Sequence, residues 1–323
     1  MPVTEQQLEP ALPRWDETSG AVARLINHSE NQTFLLDTPE NGRFTLRVHR
    51  AGYQSRAAVE SELAWLRALR RDTDLPIPQP IAGRDGRLLQ DFGTPHGDRL
   101  AVLFRHIPGS EPHPDDDLRD IFGTLGRYAA TLHNHVGAWR RPDGFERPAW
   151  QAATILDSDG LWGDWRLAPG VNAQNRPILD RLDASLWLRL SAYGTDPGRY
   201  GLIHADMRLG NLLVDGGRVA LIDFDDCGFC WFAYDFAAAI SFHETSPMVP
   251  RLKARWLQGY QAIRPLGAED LAAIDAMVML RRMALLAWIG SHAETALAQQ
   301  HMPGYADGTA QLAERYLRGN LWS

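Results

Sequence analysis

Three residues of this 323-residue chain could do chemistry together: Asp206, Asn211 and Asp223. Asn211 lies five residues after Asp206, and Asp223 lies twelve after Asn211. They sit in His204-Ala205-Asp206-Met207-Arg208-Leu209-Gly210-Asn211 and in Leu221-Ile222-Asp223-Phe224-Asp225, which flank a short apolar hairpin. Phosphoryl transfer from a nucleotide to a hydroxyl needs such a set. One carboxylate, Asp206, orients the attacking hydroxyl and accepts its proton. The Asn211 amide and the Asp223 carboxylate are hard oxygen donors that suit Mg2+. Asp and Asn are common in turns, so an isolated His-x-Asp would carry little. The full combination points to an ATP- and Mg2+-dependent phosphotransferase.

The elements around these residues follow from local pattern. Asn211 opens an apolar strand, Leu212-Leu213-Val214. Asp223 closes the opposite one, Val219-Ala220-Leu221-Ile222, and Asp215-Gly216-Gly217 forms the tight turn between them. His204 is expected to fix its loop through a side-chain hydrogen bond. Asp235, after Phe232-Ala233-Tyr234, is expected to be an N-cap and buried anchor. Asp225 and Asp226 are either outer ligands or acceptor contacts, or a solvated acidic turn.

Upstream, short strands are expected at 21–26, 32–36, 44–49, 87–90 and 100–104, with one helix over 55–71 capped by Ser55. Ile107-Pro108-Gly109 breaks this pattern and helices follow, at 118–135 and 176–192. The Pro-, Gly-, Asp- and Trp-rich segment 140–170 reads as loops and short helices. More helices are expected at 235–242, 249–263, 268–291 and 308–317. This order predicts an α+β chain: a small strand-rich N-terminal lobe (1–104), a hinge (105–109) and a larger helical lobe (110–323).

Composition narrows the classes. A formal net charge of −7 argues against a general nucleic-acid binder. The longest apolar run, 276–290, is interrupted by Arg281-Arg282, and no secretory leader is visible, so a cytoplasmic protein without a membrane span is expected. Lys253 is the only lysine, which excludes a Walker A motif. Cys227 and Cys230 form a single C-x-x-C pair, read as two packed thiols in preference to a redox or zinc site.

These motifs resemble the aminoglycoside phosphotransferase and choline kinase superfamily, which has the protein-kinase-like two-lobed fold. Within it the chain is most similar to the bacterial branch of type II homoserine kinases and stress-response kinases, over roughly Ala21 to Ile240. The branch pattern is H-G-D-x-x-x-x-N followed by I-D-F-D-D; here Ala205 replaces the glycine. The resemblance implies ATP as donor, with its adenine against the hinge at Phe104-Arg105-His106-Ile107. It makes Asn27-His28-Ser29-Glu30-Asn31 the phosphate-covering loop, with Ser29 or Asn31 as contacts. That loop has no glycine, and its plainer reading is an ordinary hairpin turn. Arg47 stands where protein kinases carry a lysine on the third strand. It keeps the charge but has a longer, planar fork. Its partner is expected to be Glu62, or failing that Glu60.

The acceptor is less legible. A small molecule bearing a hydroxyl is preferred: an amino alcohol, a hydroxy amino acid or an aminoglycoside-like compound. The alternative is a protein Ser/Thr kinase of the stress-response type. The stretch Asp157 to Trp165 could hold an ammonium with carboxylates and indoles, although Trp162 and Trp165 read more simply as core. Glu244 is a weaker acceptor candidate. Oligomeric state is not encoded in any pattern found.

Overall fold

The structure is a computed structural model and describes residues 2–28 and 31–322. The chain divides into two compact units. The first comprises Met1–Ser110, Trp139–Arg147 and Leu213–Asp225, and the second Glu111–Ala138, Pro148–Leu212 and Asp226–Ser323. Neither is continuous in sequence.

In the first unit an antiparallel sheet contains β1 (Val22–His28), β2 (Gln32–Thr38), β3 (Gly42–Val48), β4 (Pro80–Ile81), β5 (Leu89–Phe92) and β6 (Arg99–Arg105). They run in the order β1-β2-β3-β6-β4, with β5 also paired to β6. Strand alternation sends side chains to opposite faces. On β3, Phe44, Leu46 and Val48 join Phe34, Leu36, Ala101 and Leu103 in one core. Val3, Leu8, Ala11 and Trp15, in and around short 3-10 turns that the sequence pattern did not reveal, complete that core. Arg47 is therefore sent to the other face. The helix α1 (Arg56–Asp72) supplies Glu62 there, its start fixed by Ser55 Oγ accepting from Ala58 N–H at 3.0 Å. The hairpin of β8 (Leu212–Asp215) and β9 (Arg218–Leu221) turns on Gly216 and Gly217. Their φ values of 53° and 82° lie in the region glycine adopts without a Cβ penalty.

The second unit is mainly helical: α2 (Arg119–Ala138), α3 (Ala152–Leu156), α4 (Arg176–Tyr193), α5 (Tyr234–Ala239), α6 (Val249–Gln261), α7 (Ala268–Ser291), α8 (Ala296–His301) and α9 (Tyr305–Leu317). It also holds a two-stranded pair of β7 (Tyr200–Ile203) and β10 (Gly228–Trp231). Sequence pattern missed β7, β10 and α8, all short. It extended α5 too far: Phe242, at φ 70°, cannot continue a right-handed helix.

α2 and α6 cross closely because glycines face each other. A Cβ on Gly126 would collide with the Trp256 carbonyl oxygen, and one on Gly259 with the Gly123 carbonyl oxygen. This approach brings His133 of α2 to Tyr260 of α6, with Nδ1 and the hydroxyl 2.9 Å apart. Gly126→Ala must push the helices apart. We expect it to destabilise the protein by about 1–3 kcal/mol, read as a fall in chemical-denaturation midpoint. An unchanged midpoint would show that the crossing has slack.

Candidate active site

The loop carrying Asp206 lies between β7 and β8 and is tied down from within the second unit. Ala205 adopts φ 68°, a left-handed conformation that is costly for a residue with a Cβ. Its N–H donates to Asp235 Oδ1 at 2.8 Å. Asp235 is wholly buried, and its other oxygen lies 3.0 Å from His133 Nε2. A carboxylate only accepts, so His133 is protonated on Nε2 and its Nδ1 accepts from the Tyr260 hydroxyl. Burial pushes the His133 pKa down despite the pull of Asp235, which keeps the imidazole neutral. The anchoring expected of Asp235 is present. The cap is not, because Asp235 lies inside the first turn of α5 and Ala233 holds the cap position. His204 is buried and its Nδ1 accepts from Asp206 N–H at 3.2 Å, as expected.

Asp206 is 8% exposed and both of its oxygens are engaged. Oδ2 accepts from Asn211 Nδ2 at 2.6 Å and lies 3.3 Å from Arg208 Nε. Oδ1 is paired with Arg281 Nη2 of α7. Burial pushes the Asp206 carboxyl up, but Arg281, Arg208, His204 and the Asn211 amide outweigh it and hold it below the ordinary carboxylate range. Asn211 Nδ2 also donates to the Asp206 carbonyl at 2.8 Å. The amide nitrogen is thus spent on Asp206, and among the described residues Asn211 Oδ1 has no partner.

In the first unit Arg47 Nη2 pairs with Glu62 Oε2 at 2.6 Å, both buried. Glu60, the second choice, pairs instead with Arg56 at 3.6 Å on the exposed face of α1. Arg47 Nη1 also lies 3.7 Å from Asp223 Oδ1 and 4.0 Å from Asp225 Oδ1. Burial works against the Arg47 charge, but Glu62, Asp225 and Asp223 overcome it, so the guanidinium is charged at any accessible pH. Asp223 is in the left-handed region, φ 61°, with its side chain 41% accessible.

Asp225 is buried, not part of a solvated turn. It accepts from Asn31 Nδ2 at 2.9 Å, and its carbonyl takes hydrogen bonds from Gln54 and Arg147. The Asn31 Oδ1 accepts from Arg50 N–H at 3.2 Å, so both ends of that amide are occupied inside the unit. Ser29 lies outside the described residues. At the chain's exit from β6, Arg105 N–H donates to the Gln79 carbonyl and His106 N–H to the Arg43 carbonyl. The Ile107 N–H has no partner among the described residues. Arg105 is exposed; His106 and Ile107 are half-buried.

The remaining sequence candidates fall into place. Cys227 and Cys230 form no disulfide and are buried, and burial raises the Cys230 thiol well above its ordinary value, which makes it unreactive. Trp165 is core and donates to Asp183 Oδ2 at 3.0 Å. Trp162 packs against Trp150 and under Arg281. Glu244 is buried and paired with Arg282. Arg281, His133 and Arg147 were missed. The one available signal was an arginine pair inside an otherwise apolar helix. Among the described residues no group of three or more His, Cys, Asp and Glu is arranged to hold a metal, and no helix is long and apolar enough to cross a membrane.

Comparison with known proteins gives the family. Residues 22–269 match the model of the phosphotransferase enzyme family (APH), and the chain belongs to that family. The structure of a microcompartment-associated aminopropanol kinase superposes with a TM-score of 0.89, at 42% identity over 97% of each chain. A homoserine kinase of Gluconobacter oxydans is 29% identical over 290 residues, 85% of each chain. An amicoumacin kinase of Bacillus subtilis is 24% identical over 290 residues, 86% of this chain and 82% of that one. The fold is that of the protein-kinase-like phosphotransferases, and the protein is an enzyme of the phosphotransferase class.

Two measurements test the site's construction. Ala205→Gly removes the left-handed Cβ penalty of about 1–2 kcal/mol but loosens the unfolded chain by about 0.5–1 kcal/mol. We expect equal or slightly higher stability with activity retained; a clear loss of stability would mean the alanine methyl packs usefully. His49 is buried, and burial and then Arg47 outweigh Asp225 to lower its pKa to about 3. The unfolded chain therefore binds more protons than the folded one between about pH 3 and 6.5, and stability falls as pH falls through that window. His49→Leu should abolish roughly 1.5 kcal/mol of the stability lost between pH 6.5 and 5. Parallel pH–stability curves for variant and parent would contradict this.

Proposed function

We propose that the enzyme transfers the γ-phosphate of ATP, with Mg2+, to the hydroxyl of a small amino alcohol. The observation that carries this reading is the Asp206–Asn211 pair. The amide nitrogen is bound to the base, which leaves a neutral oxygen donor, Asn211 Oδ1, uncommitted beside it. Asp206 orients the acceptor hydroxyl and accepts its proton. Its depressed basicity suits that role, because in a loose phosphoryl-transfer transition state the proton leaves late and positioning matters most. Asn211 Oδ1 and the accessible Asp223 carboxylate would hold Mg2+. Their chemistry fits, since Mg2+ takes one or two protein oxygens and completes its shell with water and phosphate. When bound, Mg2+ neutralises charge on the phosphates.

In this reading residues 1–104 handle the nucleotide, 105–109 form the hinge and 110–323 carry catalysis and bind the acceptor. Arg47, held by Glu62, contacts phosphate oxygens, and Ser29 belongs to the covering loop. Asn31 acts by fixing Asp225. The Ile107 N–H, with the backbone of Arg105 and His106, reads the adenine edge. An amino alcohol is favoured over an aminoglycoside because the aminopropanol kinase resembles this chain over 97% of its length at 42% identity.

The test is Mg2+-dependent ADP release with 1-amino-2-propanol, ethanolamine, choline, homoserine, aminoglycosides and a generic protein as acceptors. We expect turnover with a small amino alcohol. Asp206→Asn should lower kcat about 10²–10⁴-fold, and Asp223→Asn should raise the Mg2+ requirement. Turnover with the protein alone would favour the stress-response alternative. Full activity in Asp206→Asn would remove Asp206 from its role.

A further inference from the structure

Arg281 lies in the middle of α7, in a run whose other inward residues are apolar apart from Arg282, and is 2% exposed. Burying a guanidinium there is costly unless its donors are used. They are used: two of its nitrogens meet the Asp206 loop and the third meets Ser241. Nη2 pairs with Asp206 Oδ1, Nε donates to Ser241 Oγ at 3.0 Å, and Nη1 reaches the Ala205 carbonyl at 3.4 Å. Trp162 and Tyr234 flank the group, with ring centroids 5.2 and 5.9 Å from its central carbon.

Arg281 is the strongest of the charges that keep Asp206 ionised, while Arg208 and the Asn211 amide serve Oδ2. The difference lies in rigidity. Torsion about an aspartate's terminal bond is broad and weakly restrained. Arg208 approaches from a partly exposed position, whereas Arg281 is buried, bonded to Ser241 and packed against the rings of Trp162 and Tyr234.

We propose that Arg281 is a positioning residue that fixes the rotation of the Asp206 carboxylate: by committing Oδ1 to α7 it sets the direction in which the carboxylate meets the acceptor hydroxyl. Ser241 and Trp162 act through it. The inference rests on Asp206 being the group that orients the acceptor, and it extends the site to a helix more than seventy residues downstream.

The test is a double-mutant cycle on kcat. We expect Arg281→Met to lower kcat about 10–100-fold while the KM for ATP changes less than about threefold. Ser241→Ala should lower kcat a few-fold with the same KM pattern. In an Asp206→Asn background both substitutions should cost less than about twofold, because their target is gone. Arg281→Met risks misfolding by leaving Asp206 buried without its partner. Arg281→Lys, which keeps the charge but cannot span Ser241 and Asp206 together, and Ser241→Ala then carry the cycle. Undiminished losses in the Asp206→Asn background, or kcat within twofold of the parent in Ser241→Ala and Arg281→Lys, would overturn the proposal. Full activity of Asp206→Asn alone would instead overturn the assignment of Asp206.

Discussion

A carboxylate sealed from water must find donors, and Asp235 finds two: the Ala205 N–H and His133 Nε2. Much of the second unit follows from that demand. His133 can serve only because α2 approaches α6 at glycines, which lets the Tyr260 hydroxyl satisfy the other ring nitrogen. Phe232 stacks on the imidazole at 4.4 Å and fixes its plane. The donor from Ala205 holds a left-handed backbone that an alanine would not choose. That twist points Asp206, the next residue, toward Asn211. The cost of burying one acid is thus converted into the geometry of another.

The two units treat charge in the same way. In each, a buried arginine is paired with a buried carboxylate: Arg47 with Glu62, and Arg281 with Asp206. Removing one partner of such a pair leaves an uncompensated buried charge, so each pair tolerates little variation. Arg47 also explains how a chain with a single lysine manages this position. Its fork reaches Glu62 with one nitrogen and lies near Asp223 and Asp225 with the other, a span that a lysine's point charge could not cover in this way.

The sequence made legible whatever depends on local spacing. Asp206, Asn211 and Asp223 stand out because the hairpin and its Gly216-Gly217 turn lie between them in the chain. The helix after Ser55 follows from a cap and a periodic face, whereas the Glu62 partner was implied by the family resemblance. What depends on packing between distant segments was hidden. Arg281 registered only as a break in an apolar run, because nothing local shows that its target lies 75 residues upstream. Asp225 could be read as a surface acid until Asn31, Gln54 and Arg147 were seen around it. Asn31 was expected at phosphate, but its amide is consumed at both ends. The strands β7 and β10 are four residues each and pair across 25 or more positions, a separation that periodicity does not register.

The most direct measurement is 31P NMR of the enzyme with ATP, Mg2+ and 1-amino-2-propanol. The account predicts a phosphomonoester resonance that grows as the ATP γ-phosphate signal decays and is nearly absent with Asp206→Asn. Decay of ATP to ADP and inorganic phosphate alone, or equal phosphomonoester formation by the variant, would contradict it.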